Sequence, residues 1–214
     1  MIALIDYGAG NLASVSRALA AIGAPVAVPS TPAELAGASA VVVPGVGHFA
    51  ATSSLDARWR DALVGLVASG RALLGICLGM QWLFDGSAEA PESAGLGLLP
   101  GWCRRLDDAW CGNRGRPDGG LDTTRIKIPH VGWNTIQRLR RSPLLAGLNA
   151  DTSFYFTHAY AAPVTDDAVA ATTHGARFAA AVERGRVFGV QFHPEKSGPA
   201  GLRLLANFVE VARS

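Results

Sequence analysis

Apolar positions in the first third of the chain fall in short blocks instead of alternating with polar ones. "IALID" (2–6), "PVAVP" (25–29), "AVVVPG" (40–45) and "ALLGI" (72–76) are bounded by Gly, Pro or Asp. A strand with one wet face alternates apolar and polar residues, so blocks like these predict strands buried on both faces. Between the first two, "NLASVSRALAAIG" (11–23) repeats apolar residues at helical spacing and closes on Gly23, the usual terminator of a helix. Strand and helix in alternation predict an α/β fold, a mostly parallel central sheet flanked by helices.

The texture changes after Gly101. "DDAWCGNRGRPDGGLDTT" (107–124) is rich in Gly, Asp and Arg and reads as a long loop or loose hairpin. "FYFTHAY" (154–160), "FAAAVERG" (178–185) and "VFGVQFH" (187–193) read as strands joined by hairpin turns, an additional antiparallel region in the C-terminal half. "GLRLLANFVEVAR" (201–213) has the stripe of an amphipathic helix. No internal repeat or low-complexity linker interrupts the chain, so residues 1–214 are expected to form one domain.

Composition narrows the class. Hydrophobic residues are 49% and charged residues 17%, with a formal net charge of +2. That balance argues against disorder and against an extended basic surface for nucleic acid. "MIALIDYGAG" reaches Asp6 after five apolar residues, and nowhere do apolar residues run on for the ~18 positions of a membrane span. The expectation is a cytoplasmic protein with a small-molecule or protein partner. Cys77, Cys103 and Cys111 cannot all pair within one chain, and they lack the paired C-x-x-C spacing of a zinc site.

Two glycine patterns compete for the chemistry. Gly8-x-Gly10-x-x-Ala13 follows a strand and opens a helix, as a dinucleotide loop does. The acid such a loop needs ~20 residues later is missing from "VAVPST", so the glycines read as a tight strand-to-helix turn. Gly75-Ile76-Cys77-Leu78-Gly79 has the spacing of a nucleophile elbow with sulfur in place of oxygen. Small neighbours allow a strained turn that lifts the thiol off the sheet, and the start of the helix predicted over "LGMQWLF" favours its thiolate. The Leu78 amide, next in the chain, can donate to an oxyanion.

A nucleophilic thiol needs a base and a group to orient that base. His193 ends an apolar run, and Glu195, two positions on, falls on the same side of an extended chain. His48, His130 and His174 lack such an acid and read as loop or edge histidines. "VVVPGVGHF" (41–49) puts Gly45 and Gly47 around Val46 directly after a strand, where bare amides can supply a second oxyanion donor. The chemistry these groups suit is cysteine acyl transfer through a thioester.

These pieces, in this order, resemble the class I glutamine amidotransferases, and within them the glutaminase subunits of imidazole glycerol phosphate synthase. "IDYGAGNLASV", "PGVG", "GICLGMQ", "GLGLLPG", "KIPHVGWN", "FYFTHAY" and "GVQFHPEKSGPAGLRLLANF" carry the resemblance, which spans nearly the whole chain except 107–124. It implies Cys77 as nucleophile, His193 as general base and acid, and Glu195 as the orienting acid. It implies glutamine held by Gly47, Gln81 and the backbone near Ala159 and Tyr160, with the oxyanion facing Val46 and Leu78. Asn11, Trp133, Tyr155 and Lys196 would face a cyclase subunit in a heterodimer, and no metal or cofactor is implied. "THAYAA" departs from the family in carrying Ala159 and Ala161 where larger or hydroxylic side chains are common. The residues alone also suit the glutaminase of another amidotransferase, a stand-alone γ-glutamyl cysteine hydrolase, or a nucleotide-binding module without catalysis.

Overall fold

A computed structural model describes residues 1–106 and 127–213. The 107–124 segment and Cys111 lie outside the described residues. In chain order the elements are β1 (Ile2–Leu4), α1 (Leu12–Ala21), β2 (Val26–Ala27), β3 (Ala40–Val43), α2 (Ala57–Ala68), β4 (Ala72–Ile76), α3 (Leu78–Trp82), β5 (Gly86–Ser87) and β6 (Trp102–Arg105). The second half adds β7 (His130–Thr135), β8 (Gln137–Arg138), β9 (Ser153–His158), β10 (Tyr160–Ala161), β11 (Ala168–His174), β12 (Ala176–Arg184), β13 (Val187–Val190) and α4 (Gly198–Arg213).

The main sheet has eight strands in the order β2-β1-β3-β4-β13-β12-β11-β8. From β2 to β13 the strands run parallel, and from β13 to β8 each pairing is antiparallel. The α/β expectation therefore holds, with the antiparallel strands appended at one side. The parallel strands are apolar throughout because both their faces are covered. Leu4, Val42 and Leu74 pack with Val15 and Leu19 of α1 and Leu204, Leu205 and Phe208 of α4, while Ile5, Val41, Val43 and Leu73 pack on the other side with Leu63 and Leu66 of α2.

Two small sheets flank this slab. β7 and β9 form an antiparallel pair in which His130 faces His158 and Trp133 faces Tyr155, and β5, β6 and β10 form the other. "FYFTHAY" thus forms β9 and β10, and its long partner is β7, a strand not anticipated from periodicity. The glycine turn after β1 is closed by Asp6, whose carboxylate accepts from the Gly8 amide at 3.0 Å, with Gly8 at φ 79°. An Asx-type turn explains its sequence without a nucleotide.

Candidate active site

Cys77 follows the last residue of β4 and precedes the first of α3. Its backbone lies at φ 54°, ψ −109°, the only positive φ outside glycine among the described residues. Such a conformation persists only where the surroundings enforce it, and here they are close. A Cβ on Gly75 would stand 2.6 Å from the Gly79 carbonyl oxygen, and one on Gly79 would run into the Val43 carbonyl at the end of β3. Both glycines are thus explained by the crush of α3 against the tips of β3 and β4. Gly45 is pressed on the same turn, where a Cβ would lie 2.7 Å from Leu78 Cβ and 2.9 Å from the Gly79 nitrogen. The PGVG stretch therefore abuts the elbow, bringing Val46 and Leu78 into one neighbourhood.

The candidate base, His193, follows the adjacent strand. β13 lies beside β4, and the Cys77 amide donates to the Val190 carbonyl at 2.8 Å. His193, three residues beyond Val190, is held by its own amide on the Tyr155 carbonyl at 2.8 Å. A 3-10 turn, Pro194–Lys196, then folds Glu195 back so that its Oε1 lies 2.8 Å from His193 Nδ1, with the two side chains 2% and 1% exposed. A carboxylate can only accept, so Nδ1 carries a proton and Nε2 is left to meet the reacting atoms. Burial disfavours the imidazolium, but the charge and contact of Cys77, with help from Glu195, outweigh it and push the His193 pKa up to about 10. The imidazolium is therefore the favoured form of His193 beside the Cys77 sulfur.

Cys103 makes a useful contrast. Full burial and the nearby charge of Glu89 push its thiol well above the usual range, so it stays protonated and inert.

Cys77 opens into a cavity of about 50 Å³ lined by Gly47, Leu78, Gln81, Thr157, Ala159 and Tyr160, with His158 and Glu89 completing the wall. The residues named for glutamine thus gather beside the thiol. Gln81 is already engaged, its Nε2 donating to the Tyr160 carbonyl at 2.7 Å and to Gln191 Oε1 at 3.1 Å. Gln191 in turn donates from Nε2 to Cys77 Sγ at 3.6 Å. A larger cleft of about 630 Å³ lies along Arg138–Ala146, and among the described residues its walls hold no thiol, histidine or acid.

Three groups around the thiol and its cavity escaped the sequence reading. Glu89 sits in the stretch after α3, with one oxygen accepting from the Phe49 amide at 2.8 Å. Gln191 carried a signal, a polar residue inside the apolar run two positions before His193. His158 belongs to a buried pair: its Nδ1 donates to the Tyr160 carbonyl at 2.9 Å, and its Nε2 meets His130 Nδ1 at 3.1 Å. The carbonyl fixes the proton on His158 Nδ1, so His130 donates from Nδ1 and both rings are neutral. Burial holds them there, lowering His130 to about 4 and His158 to about 3.

Of the residues expected to face a partner, three converge. Trp133 packs edge-on to Tyr155, with ring centroids 6.1 Å apart, and Lys196 Nζ stands 5.7 Å from the Tyr155 ring. Trp133 and Val131, 60% and 57% exposed, project from β7 as an apolar stripe. Asn11 is the N-cap of α1, whose Ser14 and Arg17 share a cleft with Pro194 and Glu195.

Residues 3–212 match the glutamine amidotransferase class-I family. The chain belongs to that family. This class I glutamine amidotransferase is 45% identical over 216 residues to imidazole glycerol phosphate synthase subunit HisH of Moorella thermoacetica, covering 99% of this chain and 95% of that one. It is 43% identical to the subunit of the same name from Methanothermobacter thermautotrophicus, with both chains covered in full. Among solved structures it superposes on a glutamine amidotransferase with a TM-score of 0.71 at 20% identity, covering 100% of both chains. It also superposes on a chain of PurLQS from Thermotoga maritima with a TM-score of 0.69 at 17% identity, covering 98% of this chain and 97% of that one. These last two likenesses speak for the fold.

Proposed function

We propose that residues 1–214 act as one glutaminase domain that hydrolyses glutamine to glutamate and ammonia. The ammonia passes to a cyclase subunit that makes imidazole glycerol phosphate and aminoimidazole carboxamide ribotide in histidine biosynthesis. The observation that carries the reading is the buried series Cys77, His193, Glu195, built on the ends of neighbouring strands. The names of the full-length relatives support the choice of acceptor reaction.

The Cys77 thiolate attacks the side-chain carboxamide carbon of glutamine, forming a C–S bond while the carbonyl electron pair moves to oxygen. The amides of Val46 and Leu78 hold that oxyanion. As the intermediate collapses, the C–N bond breaks and His193 Nε2 gives its proton to the leaving nitrogen, releasing ammonia and leaving a γ-glutamyl thioester. His193 then takes a proton from water, the hydroxide attacks, and the C–S bond breaks to give glutamate and the thiolate. Glu195 keeps the ring in the right tautomer and offsets its charge. Glu89 offers a carboxylate to the substrate's α-ammonium group.

Trp133, Tyr155 and Lys196 form the surface for the cyclase, with Asn11 at its edge, and an apolar aromatic centre with a charged rim is what such interfaces use. Among the described residues no helix is long and apolar enough to cross a membrane, and we place the heterodimer in the cytoplasm. Free ammonia would escape, so hydrolysis should wait for the acceptor. Adding the cyclase subunit and its ribotide ligand to the purified chain should raise glutaminase turnover at least ~100-fold, the worth of one oxyanion donor. Equal turnover by the chain alone would favour a stand-alone hydrolase.

A further inference from the structure

Gln191 is fully buried in the stretch between β13 and His193, with its backbone amide on the Ala180 carbonyl at 2.9 Å. The orientation of its side chain follows from the far end of a hydrogen-bond chain. A peptide carbonyl only accepts, so the Gln81 atom 2.7 Å from the Tyr160 oxygen must be nitrogen. That same nitrogen has a second hydrogen for Gln191, whose atom at 3.1 Å must then be oxygen. Gln191 is left presenting its NH2 group to Cys77 Sγ at 3.6 Å. The anchoring carbonyl is held from a second side by His158 Nδ1 at 2.9 Å, so the whole chain is fixed before substrate arrives.

We propose that Gln191 is a catalytic residue that donates a hydrogen bond to the Cys77 sulfur and favours its thiolate, an inference that rests on Cys77 being the nucleophile. Two of the sulfur's polar contacts respond oppositely to ionisation. The Thr157 carbonyl, 3.9 Å from Sγ, suits an S–H group and repels a thiolate. The Gln191 N–H strengthens as the sulfur becomes charged, because charge-assisted hydrogen bonds are the stronger kind. The same donor is useful twice in a turnover: it stabilises the attacking thiolate and, when the thioester is hydrolysed, the departing one. His193 serves the sulfur differently, since its Nε2 proton is given to the ammonia and regained from water, whereas the Gln191 N–H stays in place throughout the turnover.

The test is the pH dependence of Cys77 alkylation by iodoacetamide in the whole chain, read on the Cys77 peptide by mass spectrometry so that Cys103 and Cys111 do not contribute. Gln191→Leu should raise the midpoint by about one pH unit and slow alkylation about tenfold below it, the loss of one hydrogen bond to a charged group. Gln191→Glu keeps the shape and the acceptor for Gln81 but sets a carboxylate against the sulfur, so its midpoint should rise further. It also serves as the test if the leucine variant does not fold, and circular dichroism establishes the fold of each. An unchanged midpoint in a folded variant overturns the proposal. Glutaminase activity surviving in Cys77→Ala would instead sink the nucleophile assignment, and the two failures are separate measurements.

Discussion

Two buried histidine sites lie close to Cys77, one beside its sulfur and one in its cavity wall, and they settle on opposite ionisation states. Burial pushes both toward the neutral form. At His193 the thiol and Glu195 reverse that push and carry the ring up to about 10, whereas His158, among Phe156, Phe178 and His130, falls to about 3. The comparison shows that burial sets only the direction of the default, and that the partner groups decide the outcome. His193 faces anions that welcome a proton. His158 gives its proton to a carbonyl and has its other nitrogen occupied by His130, so a second proton has nowhere to go. One site favours the charged ring, the other the neutral ring that holds the Tyr160 carbonyl.

The strongest way to break the contrast is to remove the anion. Cys77→Ala should abolish glutamine-dependent synthesis by the assembled heterodimer, at least ~10⁴-fold, while ammonia-dependent synthesis continues. The His193 ring should titrate far below about 10 when followed by NMR, drawing it toward the behaviour of His158. Next in size, Glu195→Gln keeps the shape but removes the second anion. Turnover should fall ~10²–10⁴-fold with little change in KM, and single-turnover thioester formation should slow equally. An unchanged rate would reduce Glu195 to a turn carboxylate.

The smallest effect sharpens the neutral side. His130 and His158 have folded pKa values near 4 and 3, below the ordinary 6.5, so as pH falls the unfolded chain takes up protons first. Their stabilisation is complete above pH 6.5 and drains away below it, by about 1.4 kcal/mol per pH unit for each ring, until each folded ring protonates. His193 runs the other way: its contribution is complete below 6.5 and is lost as pH rises through about 10. His130→Phe, which keeps a ring stacked on Phe156, should flatten the acid side of a urea-denaturation series by about 1.4 kcal/mol per pH unit. An unaltered slope would mean that the pair is not proton-linked.

The elbow, the parallel strands and the His193–Glu195 pair were legible in the sequence because each is local. Gly75 and Gly79 bracket the thiol within five positions, and Glu195 lies two residues from the ring it orients. Gln191, Glu89 and the His130–His158 pair were not, because their meaning depends on residues far away in the chain. His158 looks like one polar residue in an aromatic strand until β7 brings His130 opposite it. The dinucleotide-like glycines read as a turn only because the ribose acid is missing downstream, since a tight turn has the same spelling whether a phosphate or Asp6 closes it.

Cys77 and His193 lie just past the ends of β4 and β13, immediate neighbours near the middle of the main sheet, while β2 and β8 form its margins. Their separation is set by the spacing of those two hydrogen-bonded strands together with the Tyr155 carbonyl that holds the His193 amide. Sheets open from their borders inward, and the innermost ladders part only when the whole fold does. The molecule can therefore breathe at both rims, exchanging amide protons there many times over, without its reactive pair ever losing alignment.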